Sequence, residues 1–316
     1  TAEITYGNKQ TAMMRGAKSA MVSSALTWRA ENNDVMKRLG DLRVDPGAED
    51  GLWVKFGGGK TSYDQDNTDF SNKFKTYQLG YDKPIGTDGW RLGAALSYLD
   101  GDSSYEKGNG SNSAKSMSLY GSWLGEKGHY ADIIVRGSRV EADYKVYNDY
   151  GYKLNGDYDT YGMAVSAEYG RRIQPKDGRF YYEPQIELTY SRLNGDSYDA
   201  YSDYLDGTKL HVDQDGFNSL IGRIGVSAGV QNSNSSAYVK ASLLHEFLGD
   251  FDTSYSAAGE QTKMTSMDFG DTWLSLQLGG TSKLSNNSFA YANVEKTFGG
   301  DIKMDWRADV GVRFTF

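Results

Sequence analysis

The sequence predicts an all-β fold, a 12-stranded antiparallel transmembrane β-barrel with an N-terminal helix in the lumen. Three observations carry this expectation. Apolar and polar residues alternate with period two from Gly51 to Phe316, aromatic residues stand at the ends of the apolar rows, and one stretch before Gly47 has a helical pattern instead.

Composition agrees with many strands joined by tight turns: 24 Tyr, 12 Phe, 6 Trp and 38 Gly stand against only 4 Pro. Mean hydropathy is −0.63, and no apolar run approaches the roughly 18 to 20 residues of a membrane helix. A membrane barrel needs only every second strand residue to be apolar, so its average stays modest. The absence of Cys excludes a disulfide framework, thiol catalysis and Cys-based metal sites. A net charge of −8 disfavours nucleic acid as a partner. The chain opens at Thr1 on a polar stretch without a signal peptide, so an exported protein would carry that signal upstream.

Residues from about 9 to 43 read as helix, within a linker of residues 1–46 that precedes a barrel of residues 47–316. The apolar positions of the helix, among them Met13, Met14, Ala17, Ala20, Met21, Ala25, Leu26 and Trp28, are mostly small or Met. They are interleaved with Arg15, Lys18, Ser23, Ser24 and Arg29. Such a helix is only weakly amphipathic and needs surroundings to be stable, which the barrel lumen supplies.

The last strand shows the barrel pattern best. Met304, Trp306, Ala308, Val310, Val312, Phe314 and Phe316 are expected to face lipid, alternating with Asp305, Arg307, Asp309, Gly311, Arg313 and Thr315 toward the lumen. The same pattern recurs in Trp90–Tyr98, Tyr161–Tyr169 and Tyr182–Tyr190, where aromatics flank aliphatics as in a strand crossing a bilayer. Twelve strands are expected at about 51–63, 72–84, 89–105, 113–125, 128–147, 156–173, 179–196, 213–231, 235–253, 267–284, 287–298 and 304–316. Short connections such as Pro84–Gly89 and Asn232–Ser235 alternate with longer ones at Asp64–Ser71, 108–113 and Asn194–Asp213. That is the asymmetry of periplasmic turns and extracellular loops.

Several segments carry a family resemblance. They are Lys37-Arg38-Leu39-Gly40-Asp41-Leu42-Arg43 before the first strand, Glu183-Pro184-Gln185-Ile186-Glu187-Leu188, Leu220-Ile221-Gly222-Arg223-Ile224-Gly225-Val226, and the terminus Arg313-Phe314-Thr315-Phe316. In this order the chain resembles the translocator domain of monomeric autotransporters, of the pertactin, self-associating-adhesin and secreted-protease types. The resemblance implies a Gram-negative outer-membrane location, a helix threading the pore and a passenger upstream that the barrel helps to export by type V secretion. The expected partners are outer-membrane lipid, the barrel-insertion machinery and the chain's own passenger, with the barrel a monomer and no cofactor.

Phe314 and Phe316 resemble the C-terminal signal read by that insertion machinery; an aromatic at the membrane interface is the plainer reading. Asp132, Arg136, Glu183, Glu187, Arg223, Arg307, Asp309 and Arg313 fall on lumen faces, where charges of both signs pair with each other or with the helix and keep the pore wet. One branch of the family cuts off its passenger through an Asn that cyclises on its own carbonyl, helped by lumen acids and an Arg. Aligned on Lys37-Arg38, Asn33 stands at that position, with Glu183, Glu187 and Arg223 as the matching lumen groups. Asp34 replaces the second Asn of that branch, and Asn32–Asn33 is displaced by one residue.

The competing readings are a porin-like channel, which usually needs about sixteen strands, and a barrel-embedded hydrolase. His129, His211 and His245 are scattered, with no second His and no Ser at triad-like spacing, so neither a metal site nor a catalytic set is expected of them. The acidic, Tyr-rich segment Tyr198–Tyr204 reads as a solvated loop. The N-terminal helix discriminates, since only the translocator requires it.

Overall fold

The computed structural model describes residues 5–6, 9–41, 49–65, 68–175, 178–203, 209–257 and 262–316, with backbone alone for 5–6, 9–10 and 33–41. Helix α1 spans Ala12–Asp41. Thr11 caps it, its Oγ1 accepting from the Met14 N–H at 3.3 Å. No helix among the described residues is long and apolar enough to cross a membrane.

The strands are β1 (Gly51–Gln65), β2 (Thr68–Ile85), β3 (Trp90–Tyr105), β4 (Gly108–Leu124), β5 (His129–Tyr147), β6 (Lys153–Arg171) and β7 (Phe180–Leu193). They continue with β8 (Asp196–Ser202), β9 (Lys209–Gln214), β10 (Phe217–Gln231), β11 (Ser235–Glu246) and β12 (Asp250–Ala257). The last four are β13 (Lys263–Asp268), β14 (Thr272–Ser285), β15 (Ser288–Phe298) and β16 (Ile302–Thr315).

Twelve of these, β1–β7, β10, β11 and β14–β16, pair antiparallel in a ring that β16 closes onto β1. Closure removes every free sheet edge from the membrane band, which a strand fold in lipid requires. Outward residues Trp90, Leu92, Leu96 and Tyr98 are exposed while Arg91 and Ala95 between them are buried, and the same alternation holds along β6 and β7. So extensive an apolar exterior is untenable in water and is the surface a bilayer covers. Two aromatic girdles bound it. Tyr81 and Phe316 pack at one end with ring centroids 6.5 Å apart, and Tyr77 and Tyr98 stack at the other at 6.4 Å. At the Phe316 end the turns are tight; Gly86 and Gly89 take φ of +64° and +82° in the β2–β3 turn, where a side chain would be strained.

The opposite end departs from the loop expectation. Within Asp64–Ser71 the described residues 64–65 and 68–71 are strand, as are 108–113, since β1 and β2 pair up to Gln65↔Thr68 and β3 and β4 up to Tyr105↔Gly108. Their Ser, Asn, Asp and Gly residues are polar enough to stand in water and still complete a ladder. The strands expected at 179–196, 213–231 and 235–253 are interrupted near Gly195, Gly216 and Gly249. Beyond those breaks, hairpins β8–β9 and β12–β13 fold onto the rim, with β8 pairing to β6 and β9 to β12. The described part of Tyr198–Tyr204 therefore lies on a strand and the bend after it, rather than in a solvated loop.

Facing also changes at one point. A β-bulge between Met304 and Trp306 sets two residues of β16 against one step of β1. Asp305 thus points outward to Ser62 at 2.8 Å, while Met304 packs against the inner apolar cluster. Met304 does not face lipid, because a bulge reverses the alternation beyond it. Trp306, Val310 and Phe314 are exposed as expected.

Val310 is 53% exposed in the apolar band and Gly311 faces inward against the Tyr291 ring. Val310→Arg is expected to cost about 2 to 4 kcal/mol if it lies near the bilayer midplane. Urea titration of the chain refolded in lipid vesicles measures this. A loss confined to Gly311→Arg, with Val310→Arg neutral, would reverse the assigned facing.

Candidate functional site

Helix α1 lies in the lumen, packed against the inner faces of β2–β7, and divides it into two chemically different halves. Toward the hairpin end, Met13, Met14, Ala17, Met21 and Leu26 are buried among Phe70, Val146, Leu154, Tyr158, Phe217, Phe251 and Phe269. Phe217, Phe251 and Phe269 pack edge to face with centroids 5.8 to 6.4 Å apart, and Phe269 reaches Tyr63 of β1 at 5.7 Å. This half is an apolar core, not the wet polar lumen expected from the charged strand faces. Inward residues turn aromatic where strands rise past the membrane band, so the folded hairpins can bury them. Small residues let the helix fit: Gly16 lies against Val146, and the Trp28 indole covers Gly162.

Deeper in, the helix is held by charge. Glu31 is buried, and its carboxylate accepts from Gln78 Nε2 at 3.0 Å and from both terminal nitrogens of Arg307 at 3.4 Å. Arg136 stands 3.7 Å from the same carboxylate and donates to the Glu31 carbonyl at 3.3 Å. Asp309 takes two further bonds from Arg307, at 3.0 and 3.2 Å, and fixes the plane of the guanidinium. Arg29 meets Glu246 at 3.0 Å and lies 5.6 Å from the Trp273 ring. Glu246 also accepts from the Ser219 hydroxyl and, at 2.7 Å, the Leu220 N–H. Polar contacts flank this level, with Ser23 bonded to Ser103 at 2.9 Å and to Asn72 at 3.0 Å, and Asn32 to Ser191 at 3.4 Å.

The eight lumen residues expected from the sequence are all buried, and the structure sorts them into clusters. Arg136, Arg307 and Asp309 gather around Glu31. Glu187 and Arg223 come together, Arg223 Nη2 standing 2.5 Å from both Glu187 and Glu168. Glu183, four residues along β7, pairs instead with Arg172 at 2.9 Å. Arg313 donates to Asp82 at 2.7 and 3.0 Å, joined there by Arg91 at 2.8 Å and the Tyr120 hydroxyl at 2.6 Å. Asp132 accepts from Ser122 at 2.5 Å. Phe314 and Phe316 are exposed on the outer face. Asn33 continues the backbone of α1, but its side chain lies outside the described residues, as do those of Lys37 and Arg38.

Sequence reasoning missed Glu31, Arg29, Glu246 and Asp82. Glu168 and Asp82 lie on inward rows that alternation identifies, whereas only the rotation and depth of α1 reveal which lumen residues Glu31 and Arg29 meet. His211 also corrects an expectation. Nε2 stands 3.2 Å from Ser197 Oγ and Nδ1 2.7 Å from Asp199, the order of a nucleophile–base–acid relay. The set sits on the exposed face of β8–β9, and the hydrogen bond from Lys209 together with that from His211 holds the Asp199 carboxyl below its usual range. The Ser197 N–H is already given to Asp196 at 2.9 Å. His129 and His245 bond to Tyr169 and Thr272 on the outer wall, and no metal-holding group of His and carboxylates occurs among the described residues.

If Glu31 is the main electrostatic anchor of α1, Glu31→Ala should cost about 3 kcal/mol, since it leaves buried guanidinium groups short of a counter-charge. Chemical denaturation of the refolded chain followed by tryptophan fluorescence reads this. An unchanged midpoint would show that the helix is held by the apolar half alone.

Known proteins share this architecture. The family model described as "Autotransporter beta-domain" matches residues 52–295. The pertactin autotransporter of Bordetella parapertussis is 32% identical over 298 residues, covering 92% of this chain and 31% of that protein, so the chain spans under a third of that relative's length. The translocator domain of the autotransporter NalP from Neisseria meningitidis superposes with a TM-score of 0.74 at 12% identity, covering 93% of this chain and 98% of that one. The beta domain of the Bordetella autotransporter BrkA gives a TM-score of 0.67 at 23% identity, covering 85% and 100%. A closed 12-strand barrel around one helix, matched by sequence over most of its length, thus places the chain in the autotransporter β-domain family, the outer-membrane translocators of type V secretion.

Proposed function

We propose that this chain exports a passenger joined to it upstream of Thr1, and that α1 is the final stretch of that connection, retained in the pore. The observation that carries this reading is the course of the helix. Its N-terminal part lies among the extracellular hairpins, Arg15 reaching Glu106 at the β3–β4 tip at 3.3 Å, and its later part is gripped deeper by Arg136, Arg307 and Glu246. A segment upstream of α1 therefore emerges on the outer side. On this reading residues 1–46 are the linker and residues 47–316 the barrel, which works as a monomer. Phe314 and Phe316 present the C-terminal signal to the insertion machinery, and the apolar outer half of the lumen seals the pore once export is complete.

Two experiments test this. Deleting residues 1–43 should raise single-channel conductance sharply in planar bilayers, and unchanged conductance would remove α1 from the pore. Release of the passenger by cyclisation at Asn33, with Glu183, Glu187 and Arg223 as lumen helpers, is the alternative to a tethered passenger. The structure divides Glu183 from the Arg223 cluster, and Asp34 departs from the self-cleaving pattern, so a tethered passenger is the expected outcome. Mass spectrometry of the folded chain should find the N-terminus at Thr1. A new terminus at Asp34, blocked in Asn33→Asp, would establish cleavage instead.

A further inference from the structure

A groove of about 660 Å³ crosses the lipid-facing wall over β5, β6, β7, β10 and β11. Its floor is made shallow by small side chains, Ala131, Ala167 and Gly222, and its walls include Leu188, Ile224 and Phe247. The row Ile133↔Ala167, Ala167↔Leu188, Leu188↔Gly222 and Gly222↔His245 runs along the hydrogen-bonding direction. Because barrel strands tilt, such a row climbs across the membrane band as it passes from strand to strand. It ends at His245 and Phe247, which pack edge to face at 4.6 Å beside Thr272, at the hairpin end of the barrel.

A polar group stands over this end. Asn218 Oδ1 accepts from the Tyr190 hydroxyl at 3.1 Å and from Arg192 Nη1 at 3.3 Å. Arg192 is exposed on the outer face, and no carboxylate pairs with it among the described residues. A guanidinium already oriented by a neutral amide keeps its remaining donors, and its whole charge, for an anion approaching from the membrane side. Tyr190, between Arg192 and Leu188 on β7, marks the interface where headgroups lie.

We propose that this groove and Arg192 together seat one phosphorylated glycolipid of the outer leaflet, of the lipid A class. An acyl chain would lie over Ala167 and Gly222, with a headgroup phosphate on Arg192. The apolar length of the groove selects a lipid, the unpaired cation selects an anionic head, and the hairpin end places that head in the outer leaflet. The site would hold a lipid in slow exchange; a second outer-wall groove of about 870 Å³, lined by Phe180, Val230, Ala237 and Val310, ends at Arg179 at the opposite, turn end of the barrel and so faces the other leaflet.

The test uses the full chain refolded in detergent, incubated with bisphosphorylated lipid A and examined by native mass spectrometry. Folding is checked by the heat-dependent gel shift. The wild-type chain should retain one lipid A. Arg192→Gln should weaken retention about tenfold, the loss of one charge-assisted contact. Ala167→Phe, which fills the floor, should abolish it, and Leu96→Phe, on another part of the wall, should leave it unchanged. If Ala167→Phe fails to fold, Arg192→Gln still decides the matter, because that residue is exposed and supports no packing. Retention unaffected by Arg192→Gln would overturn the proposal. So would equal retention of dephosphorylated lipid A or phosphatidylethanolamine, or no lipid retained by the wild-type chain.

Discussion

Everything in this molecule depends on satisfying backbone hydrogen bonds in a solvent that offers none. In the bilayer an unpaired amide or carbonyl costs several kcal/mol, so strands persist there only if the first pairs with the last. The seam between β16 and β1 meets that requirement from Gly51↔Thr315 to Tyr63↔Ile302, with one bulge. Once the ring is closed, alternation fixes the rest: every second residue meets lipid and every other one meets the lumen.

Closure creates a second demand, that the interior be filled. The chain meets it differently at different depths. Where strands stand beyond the membrane, the inward residues are Phe, Tyr, Leu and Val, and folded hairpins and the Met-rich part of α1 complete an apolar core. Within the band they are mainly Arg, Glu, Asp, Ser and Thr, with a small cluster of Trp53, Tyr120 and Ile134 among them, and the helix contributes Arg29 and Glu31 to match. Charged groups on both strand and helix make the fit specific in register, because a slip of one helical turn would take the Glu31 carboxylate away from Arg307 and Arg136 and Arg29 away from Glu246. The apolar half tolerates small shifts better and excludes water, so sealing and registration are divided between the two ends.

The outer wall is not uniform either. Small residues at Ala131, Ala167 and Gly222 hollow it, and Arg192 stands exposed above the groove with an amide rather than a carboxylate as its partner. Export through the lumen and contact with lipid outside thus use opposite faces of the same strands. Leu188, at the groove, and Glu187, in the Arg223 cluster, are adjacent in sequence and lie on opposite sides of the barrel wall.

The strand period, the aromatic girdles, the helix before Gly47 and the inward placement of Glu187, Arg223, Arg307 and Arg313 were legible in the sequence. Each follows from a local rule, that side chains alternate along a strand over two residues and recur along a helix over three or four. What the tertiary structure decided lies at longer range. Whether Asp64–Ser71 loops or pairs depends on a neighbouring strand being there to pair with. The bulge that turns Met304 inward and Asp305 outward answers to the β1 seam, more than two hundred residues away in sequence. The breaks at Gly195, Gly216 and Gly249 fold hairpins over a mouth that only the closed barrel defines, and bring Ser197, His211 and Asp199 into contact. Glu31 finds Arg307 and Arg136 because the helix sits at one depth and one rotation in the lumen. Alternation assigns a residue to a face; it carries no information about which residue of another element will meet it there, and that is set by closure and packing.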